Sequence, residues 1–276
     1  MKLAFLGFRH GHVMGLHQSA AQHPDVEIVA AVEEDAAAAA SLRSGGKVRL
    51  THERIADVMS NVACDAVAIG DVYARRGALA ITALEAGKHV IADKPLCTRL
   101  DELERIAKLS REKNRVVSCL LDLRDGGPYR TMRRLIRSGE IGDVHTVHFT
   151  AQHPLLLGTR PSWYFEPGAH GGTINDIAIH AIDLIPWLTG RSITGVVAAR
   201  AWNARLPQHP QFQDAAQVML KLDNGGGVLG DLSNLAPDGI GYSGEQYWRI
   251  TCHGDAGVVE TNYNAQSVTL SAGSEV

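Results

Sequence analysis

The sequence predicts an α/β chain: a doubly wound parallel sheet over residues 1–120, then an α+β domain with a mainly antiparallel open sheet over residues 121–276. Three observations carry this. Up to Cys119, short continuous apolar runs alternate with amphipathic stretches, as expected of strands buried on both faces beneath helices. From Ile193 onward the runs are longer and alternate apolar with polar, punctuated by Gly and Asn as in Asp223-Asn224-Gly225-Gly226. A length of 276 residues, 45% of them hydrophobic and 21% charged, supplies two cores without a disulfide or metal staple.

In chain order, residues 3–6 read as a buried strand, 12–22 as a helix, 27–32 as a strand and 35–42 as an alanine-rich helix. A short strand at 48–50 and a helix near 53–60 follow. Ala66-Val67-Ala68-Ile69 is a strand, 78–86 a helix closed by Gly87, 89–92 a strand, 100–113 a helix and 116–119 a strand. The pattern then changes, which sets the domain boundary near 120. Helices are predicted near 129–138 and 172–188, and strands at 196–202, 217–222, 227–232, 247–252 and 267–270.

A formal net charge of −3 offers no electrostatic footing for nucleic acid or an anionic membrane. The apolar run ending at Gly7 is too short for a signal segment, and no stretch reaches membrane-spanning length. Cys64, Cys97, Cys119 and Cys252 have no C-x-x-C spacing and apolar neighbours, so they read as buried free thiols of a cytoplasmic protein.

The first strand ends in Gly7-Phe8-Arg9-His10-Gly11-His12. A glycine turn between a first strand and a helix is where a dinucleotide pyrophosphate sits, on backbone N–H groups and the positive end of the helix. Against the G-x-G-x-x-G spacing, Gly7 is in place while Arg9 and His12 occupy the second and third glycine positions. Such a turn also forms without a ligand, because glycine is its default residue. Glu33, after the second strand, stands at the right distance to accept the adenosine ribose hydroxyls and to repel a 2′-phosphate; this favours NAD, with NADP possible.

Ala92-Asp93-Lys94-Pro95 places Lys94 at the end of a buried strand, where open α/β sheets bind ligands. A lysine there can polarise or deprotonate a hydroxyl. In Gly171-Gly172-Thr173-Ile174-Asn175-Asp176-Ile177-Ala178-Ile179-His180, Asp176 and His180 are four apart on an otherwise apolar helix, with Asp183 nearby. Imidazole at its ordinary pKa of about 6.5 suits proton relay at neutral pH.

The ordered set of a glycine turn, Ala86-Gly87-Lys88-His89-Val90 with Asp93-Lys94-Pro95, Gly139-Glu140-Ile141-Gly142 before a strand, and Gly171-Gly172-x-x-x-Asp176-x-x-x-His180 resembles the Gfo/Idh/MocA oxidoreductases. The match runs from Leu3 to about Leu232. The resemblance implies a Rossmann domain binding NAD or NADP and action on sugars, polyols or related small hydroxy compounds. It equates Lys94 with the lysine of the family's Glu-Lys-Pro, and Asp176 and His180 with its catalytic pair. It also implies homo-oligomer contacts, dimer or tetramer, through the second-domain sheet.

The chain departs from the family at the two missing glycines, at Asp93 in place of Glu, and at Gly70-Asp71-Val72-Tyr73-Ala74-Arg75-Arg76 in place of Thr/Pro-Asn-x-x-His. The expected cofactor contacts are Gly7, Phe8, Arg9, His10, Gly11, His12, Glu33, Asp71, Lys94 and Pro95. The expected substrate contacts are Lys94, Arg124, Trp163, Tyr164, Asp176 and His180, with no metal. Lys94 and His180 both stand as candidates for the immediate base. Two other readings compete. One is a metal-dependent amidohydrolase using His10-x-His12 with Lys94, His170, His180 and Asp183. The other is a non-catalytic protein of the same fold that binds a dinucleotide or sugar.

Overall fold

The computed structural model describes residues 1–273. Two compact units divide the chain, one of residues 1–120 with 168–171, the other of residues 121–167 with 172–276.

The first unit begins with β1 (Lys2–Leu6), α1 (His12–Gln22) and β2 (Glu27–Val32). Helix α2 (Ala36–Gly45) is capped by Asp35, whose carboxylate accepts the Ala38 N–H, and stops at Gly46 in the left-handed region. Then come α3 (Ile55–Asn61), β3 (Ala66–Ile69), α4 (Tyr73–Glu85), β4 (His89–Ala92), α5 (Leu100–Lys113) and β5 (Val117–Cys119). Helix α5 carries Asp101 and Glu102 in its first turn and Arg111 and Lys113 in its last, matching the helix dipole at both ends.

The five strands are parallel in the order β2-β1-β3-β4-β5. The chain leaves β1 for β2 on one side and returns to β3 on the other, so the topological switch point lies between β1 and β3, at their C-terminal ends. Every residue of β3 is buried, and β1 is buried from Leu3 to Leu6, which accounts for their uninterrupted apolar character.

The strand expected at 48–50 is absent; a single parallel bridge from His52 to Val32 stands in its place beside β2. Three residues with one apolar face buried through Val48 do not sustain a ladder. Helix α4 starts at Tyr73, five residues before the expected 78, because the polar Tyr73-Ala74-Arg75-Arg76 run continues the buried stripe of Gly77, Ala80, Ala83 and Leu84 back through Tyr73 and Arg76.

The second unit contains α6 (Gly127–Arg137), β6 (Val144–Pro154), α7 (Ile179–Thr189), β7 (Ile193–Trp202), β8 (Ala215–Leu222), β9 (Gly227–Ala236), β10 (Arg249–Gly254), β11 (Gly257–Thr261) and β12 (Thr269–Ala272). The seven strands run in the order β12-β11-β10-β6-β9-β8-β7, antiparallel except for β6 with β9. Strand β8 alternates buried and exposed from Ala216 on, as a half-buried strand must. One sheet face packs with α6 and α7 in a core that includes Met132, Leu184, Leu220 and Ile250.

The helix expected over 172–188 opens with a π-helical segment, Ile174–Ala178, before α7 takes over, so its first turn is wider than an α turn. Strand β11 and the 3₁₀ turns at Leu157–Thr159 and Ser162–Phe165 fall outside the expected elements. The last two expected strands lie two residues later, in β10 and β12. Neither sheet is an eight-stranded βα barrel, which removes the fold that the amidohydrolase reading requires. Among the described residues no helix is long and apolar enough to cross a membrane. Cys64, Cys97 and Cys252 are buried free thiols; Cys119 is only half-buried.

Candidate active site

Parallel pairing brings the C-terminal ends of β1, β2, β3 and β4 to one edge of the first sheet. Gly7, Glu33, Asp71 and Lys94 follow those ends directly or within two residues. Gly7 has φ +80°, and a Cβ there would lie 2.9 Å from the Asp71 backbone. Only glycine permits this turn. Gly70 has a second packing role, since a Cβ on it would sit 2.6 Å from the Val13 side chain. Close contact between α1 and the sheet is therefore secured from β3, although α1 carries His12 where the third glycine would stand.

The turn is tied down from within. Gly7 N–H donates to Val32 O at 2.9 Å and Arg9 N–H to Gly70 O at 2.8 Å. Phe8 N–H donates to Glu33 Oε2 at 2.6 Å, while the Phe8 ring turns inward to stack with Phe5 and meet His17 edge-on. The Phe8 side chain therefore faces the core. With these three amides committed, the donors left for an anion are those of the first turn of α1, which Gly11 opens. Arg9 reaches Asp35 at 3.3 Å.

Glu33 is 4% exposed, and its second oxygen accepts the Asp35 N–H at 2.8 Å. Burial raises its pKa against the pull of the Asp35 and Phe8 hydrogen bonds. Two backbone bonds leave further lone pairs on the carboxylate for ribose hydroxyls. Asp71 is likewise pushed up by burial and held by Arg75 at 3.1 Å. Arg75 also binds Glu34 at 2.7 Å.

Lys94 is 7% exposed, its Nζ 5.9 Å from the centre of the Tyr73 ring, and it precedes Pro95 in a cis peptide. The segment is clamped by Arg76, which is wholly buried. Its guanidinium donates to Asp71 O at 2.7 Å, to Lys94 O, to Pro95 O at 3.3 Å and to Asp93 Oδ2 at 3.1 Å. Asp93 also accepts from His10 Nδ1 at 2.7 Å and His12 Nδ1 at 3.1 Å. Burial pushes the Asp93 carboxyl up, but the two imidazole bonds and the Arg76 charge outweigh it and hold the group well below the usual carboxylate range. Burial lowers His10 to about 4 despite its Asp93 bond, so its imidazole is neutral. His170 packs 5.5 Å from the Tyr73 ring, and Ala169 O accepts the Ala74 N–H.

In the second unit Asp176 is 2% and His180 5% exposed. Tyr164 Oη donates to Asp176 Oδ2 at 2.7 Å, orienting the carboxylate. The His180 ring packs edge-on to Trp248 at 4.9 Å. Trp163 is buried at 5.4 Å from Tyr164. Arg124 chelates Asp183 through Nε at 2.6 Å and through Nη2, so its guanidinium has a fixed carboxylate partner.

The family model described as an oxidoreductase family with an NAD-binding Rossmann fold matches residues 1–120, and that of the GFO/IDH/MocA C-terminal domain matches residues 129–260. Inositol 2-dehydrogenase 3 of Saccharopolyspora erythraea is 30% identical over 90% of this chain and 69% of its own length. The chain belongs to the Gfo/Idh/MocA oxidoreductase family. Inositol 2-dehydrogenase 2 of the same organism is 29% identical over 76% of this chain, which spans 58% of that relative's length. A solved structure from Erwinia carotovora atroseptica superposes with a TM-score of 0.90 at 26% identity, covering 99% of this chain and 83% of that one.

The matched family model is that of an NAD-binding Rossmann fold, and open α/β sheets bind ligands at the strand-end edge that here carries Gly7, Glu33 and Lys94. The residues fit a dinucleotide there: a turn that only glycine can make, a helix N-terminus behind it and an acidic residue after β2. Sequence reasoning missed Arg76 and the pairing of His10 and His12 with Asp93. Arg76 was findable, because helical spacing puts it in the apolar stripe of Tyr73, Gly77, Ala80 and Leu84.

Proposed function

We propose that the protein is an NAD-dependent dehydrogenase that oxidises a hydroxyl of a sugar, a polyol or a related small compound, with NADP as a poorer cofactor. The burial of Lys94 at the C-terminal end of a Rossmann strand, clamped by Arg76, carries this reading. Family membership and the two inositol dehydrogenase relatives support it.

When bound, the nicotinamide supplies the hydride acceptor or donor. The chain's own residues do the rest. Lys94 holds the substrate hydroxyl and stabilises negative charge developing on its oxygen. His180 takes the hydroxyl proton, or Lys94 takes it directly; both are within the chemistry of a positioned base. Asp176, held by Tyr164, orients the imidazole. Trp163 and Tyr164 shape the wall around Asp176, and Arg124 acts through Asp183. Glu33 accepts ribose hydroxyls, with Gly7, Gly11 and His12 lining the phosphate side and Asp71 toward the nicotinamide side.

The open face of the second sheet pairs Leu229 with His148 and Met219, and Met219 with Ala198, in an apolar band. We assign this band to contact with a second copy of the chain. Four free cysteines fit a reducing cytoplasm.

The test is fluorescence titration with NADH and NADPH, then a screen of inositols and polyols with the preferred cofactor. Lys94→Met should keep NADH binding while turnover falls about 10²–10⁴-fold. Turnover unchanged in that variant sinks the assignment. Binding without turnover on any hydroxy compound favours the non-catalytic alternative.

A further inference from the structure

His10, His12 and Asp93 converge where β1 and β4 end, although the histidines stand more than eighty residues from the aspartate in the chain. Each offers one ligand atom, and the three atoms lie within 4.8 Å of one another. The two imidazoles turn their Nδ1 atoms toward the same carboxylate, one to each oxygen, at 2.7 and 3.1 Å. Their rings meet edge-on with centroids 4.4 Å apart. We propose that these three side chains form a binding site for a divalent first-row transition ion, Zn²⁺ foremost, in which Asp93 completes the His10-x-His12 pair in place of the Lys94, His170, His180 and Asp183 that the sequence suggested.

The donor set decides the class of ion. Two imidazole nitrogens and one carboxylate oxygen suit Zn²⁺ and its neighbours, whereas Mg²⁺ and Ca²⁺ call for oxygen ligands throughout. Bonds of about 2.0–2.2 Å to such donors place them roughly 3–3.5 Å apart, so the ion enters with small side-chain rotations of His10 and His12 and a change of tautomer in which each ring carries its proton on Nε2 and frees Nδ1 for the metal. Asp93 is fully buried, His10 has a side-chain exposure of 15% and His12 one of 44%. The site therefore has a buried anchor and an open side, the form of a centre that keeps a coordination position for water or another ligand. The outer shell is in place as well. Arg76 fixes the Asp93 carboxylate from behind at 3.1 Å, and the Tyr73 ring packs against His10 at 5.4 Å. The guanidinium withdraws negative charge from one carboxylate oxygen. This makes the site a weaker one than three ligands with an unshared carboxylate would form.

The experiment uses the untagged full chain after chelator treatment and dialysis. Zn²⁺ is titrated by calorimetry, and Co²⁺ is added as a spectroscopic probe of coordination. One equivalent of Zn²⁺ should bind, and Co²⁺ should develop visible d–d absorption with nitrogen ligands. His12→Ala, at a half-exposed position that leaves the core intact, should weaken both by at least about tenfold. His10→Ala should do the same, and His23→Ala, on the exposed surface, should change nothing. The absence of a saturable Zn²⁺ isotherm in the folded wild-type chain overturns the proposal. So does equal Zn²⁺ affinity in wild type and His12→Ala, which would mark the three residues as a hydrogen-bonded cluster only.

Discussion

Replacing Arg76 with Met should destabilise the first unit by about 3–5 kcal/mol. The guanidinium is wholly buried and serves the carbonyls of Asp71, Lys94 and Pro95 together with the Asp93 carboxylate. Hydrogen bonds from a charged donor are worth about 1.5–3 kcal/mol each when isolated, but they share one donor group and do not add. Deleting one member of a buried ion pair costs about 3–5 kcal/mol, because the remaining charge stays buried. Asp93 keeps His10 and His12, which places the loss within that range rather than above it. Methionine retains most of the apolar stem, so the cavity contribution is small. At a slope of about 2 kcal/mol/M, the urea midpoint falls by roughly 1.5–2.5 M. The four tryptophans, Trp163, Trp187, Trp202 and Trp248, all lie in the second unit. Far-UV circular dichroism therefore reports on both units and tryptophan fluorescence on the second. The shift should appear in the dichroism. A change below roughly 1 kcal/mol, or one confined to fluorescence, would refute the view that Arg76 holds the Asp93–Pro95 segment.

Two further outcomes follow from the glycine turn and the open sheet face. Gly7→Ala places an L-residue at φ +80°, at a cost of about 1–2 kcal/mol, with an added clash against the Asp71 backbone. Scanning calorimetry should show a melting temperature lower by several degrees, and NADH titration a weaker complex; an unchanged melting temperature contradicts the turn geometry. Leu229→Asp puts a charge at the centre of the band formed with His148 and Met219, on a residue 47% exposed. Sedimentation velocity should show an oligomer for the wild-type chain and a smaller species for the variant. A wild-type monomer at high concentration rules out that face as an interface.

Much of the first unit was legible because its strands are buried on both faces and so read as unbroken apolar runs. The bounds of β2, β3, β4, α1 and α5 follow from the sequence without adjustment. The strand expected at 48–50 looked similar but lacked the length to hold a ladder. In the second unit β11 escaped notice, since a five-residue strand with Gly at its start carries too short a pattern to distinguish from a turn. Lys94, Asp176 and His180 stood out as polar residues in apolar surroundings, and all three are buried.

Chemical character and local period are written along the chain, so the amino-acid order alone determined the doubly wound sheet, the turn at Gly7 and the place of Lys94 at the end of a buried strand before Pro95; that Lys94 is itself buried came from the tertiary structure. Which groups meet is not written there when they are far apart in sequence. Tertiary structure alone decided that Glu33 takes the Phe8 amide, that Arg76 gathers three carbonyls and a carboxylate, and that His10 and His12 share Asp93. Parallel pairing of β2, β1, β3 and β4 creates those meetings, because it carries strand ends far apart in sequence to one edge of a single sheet.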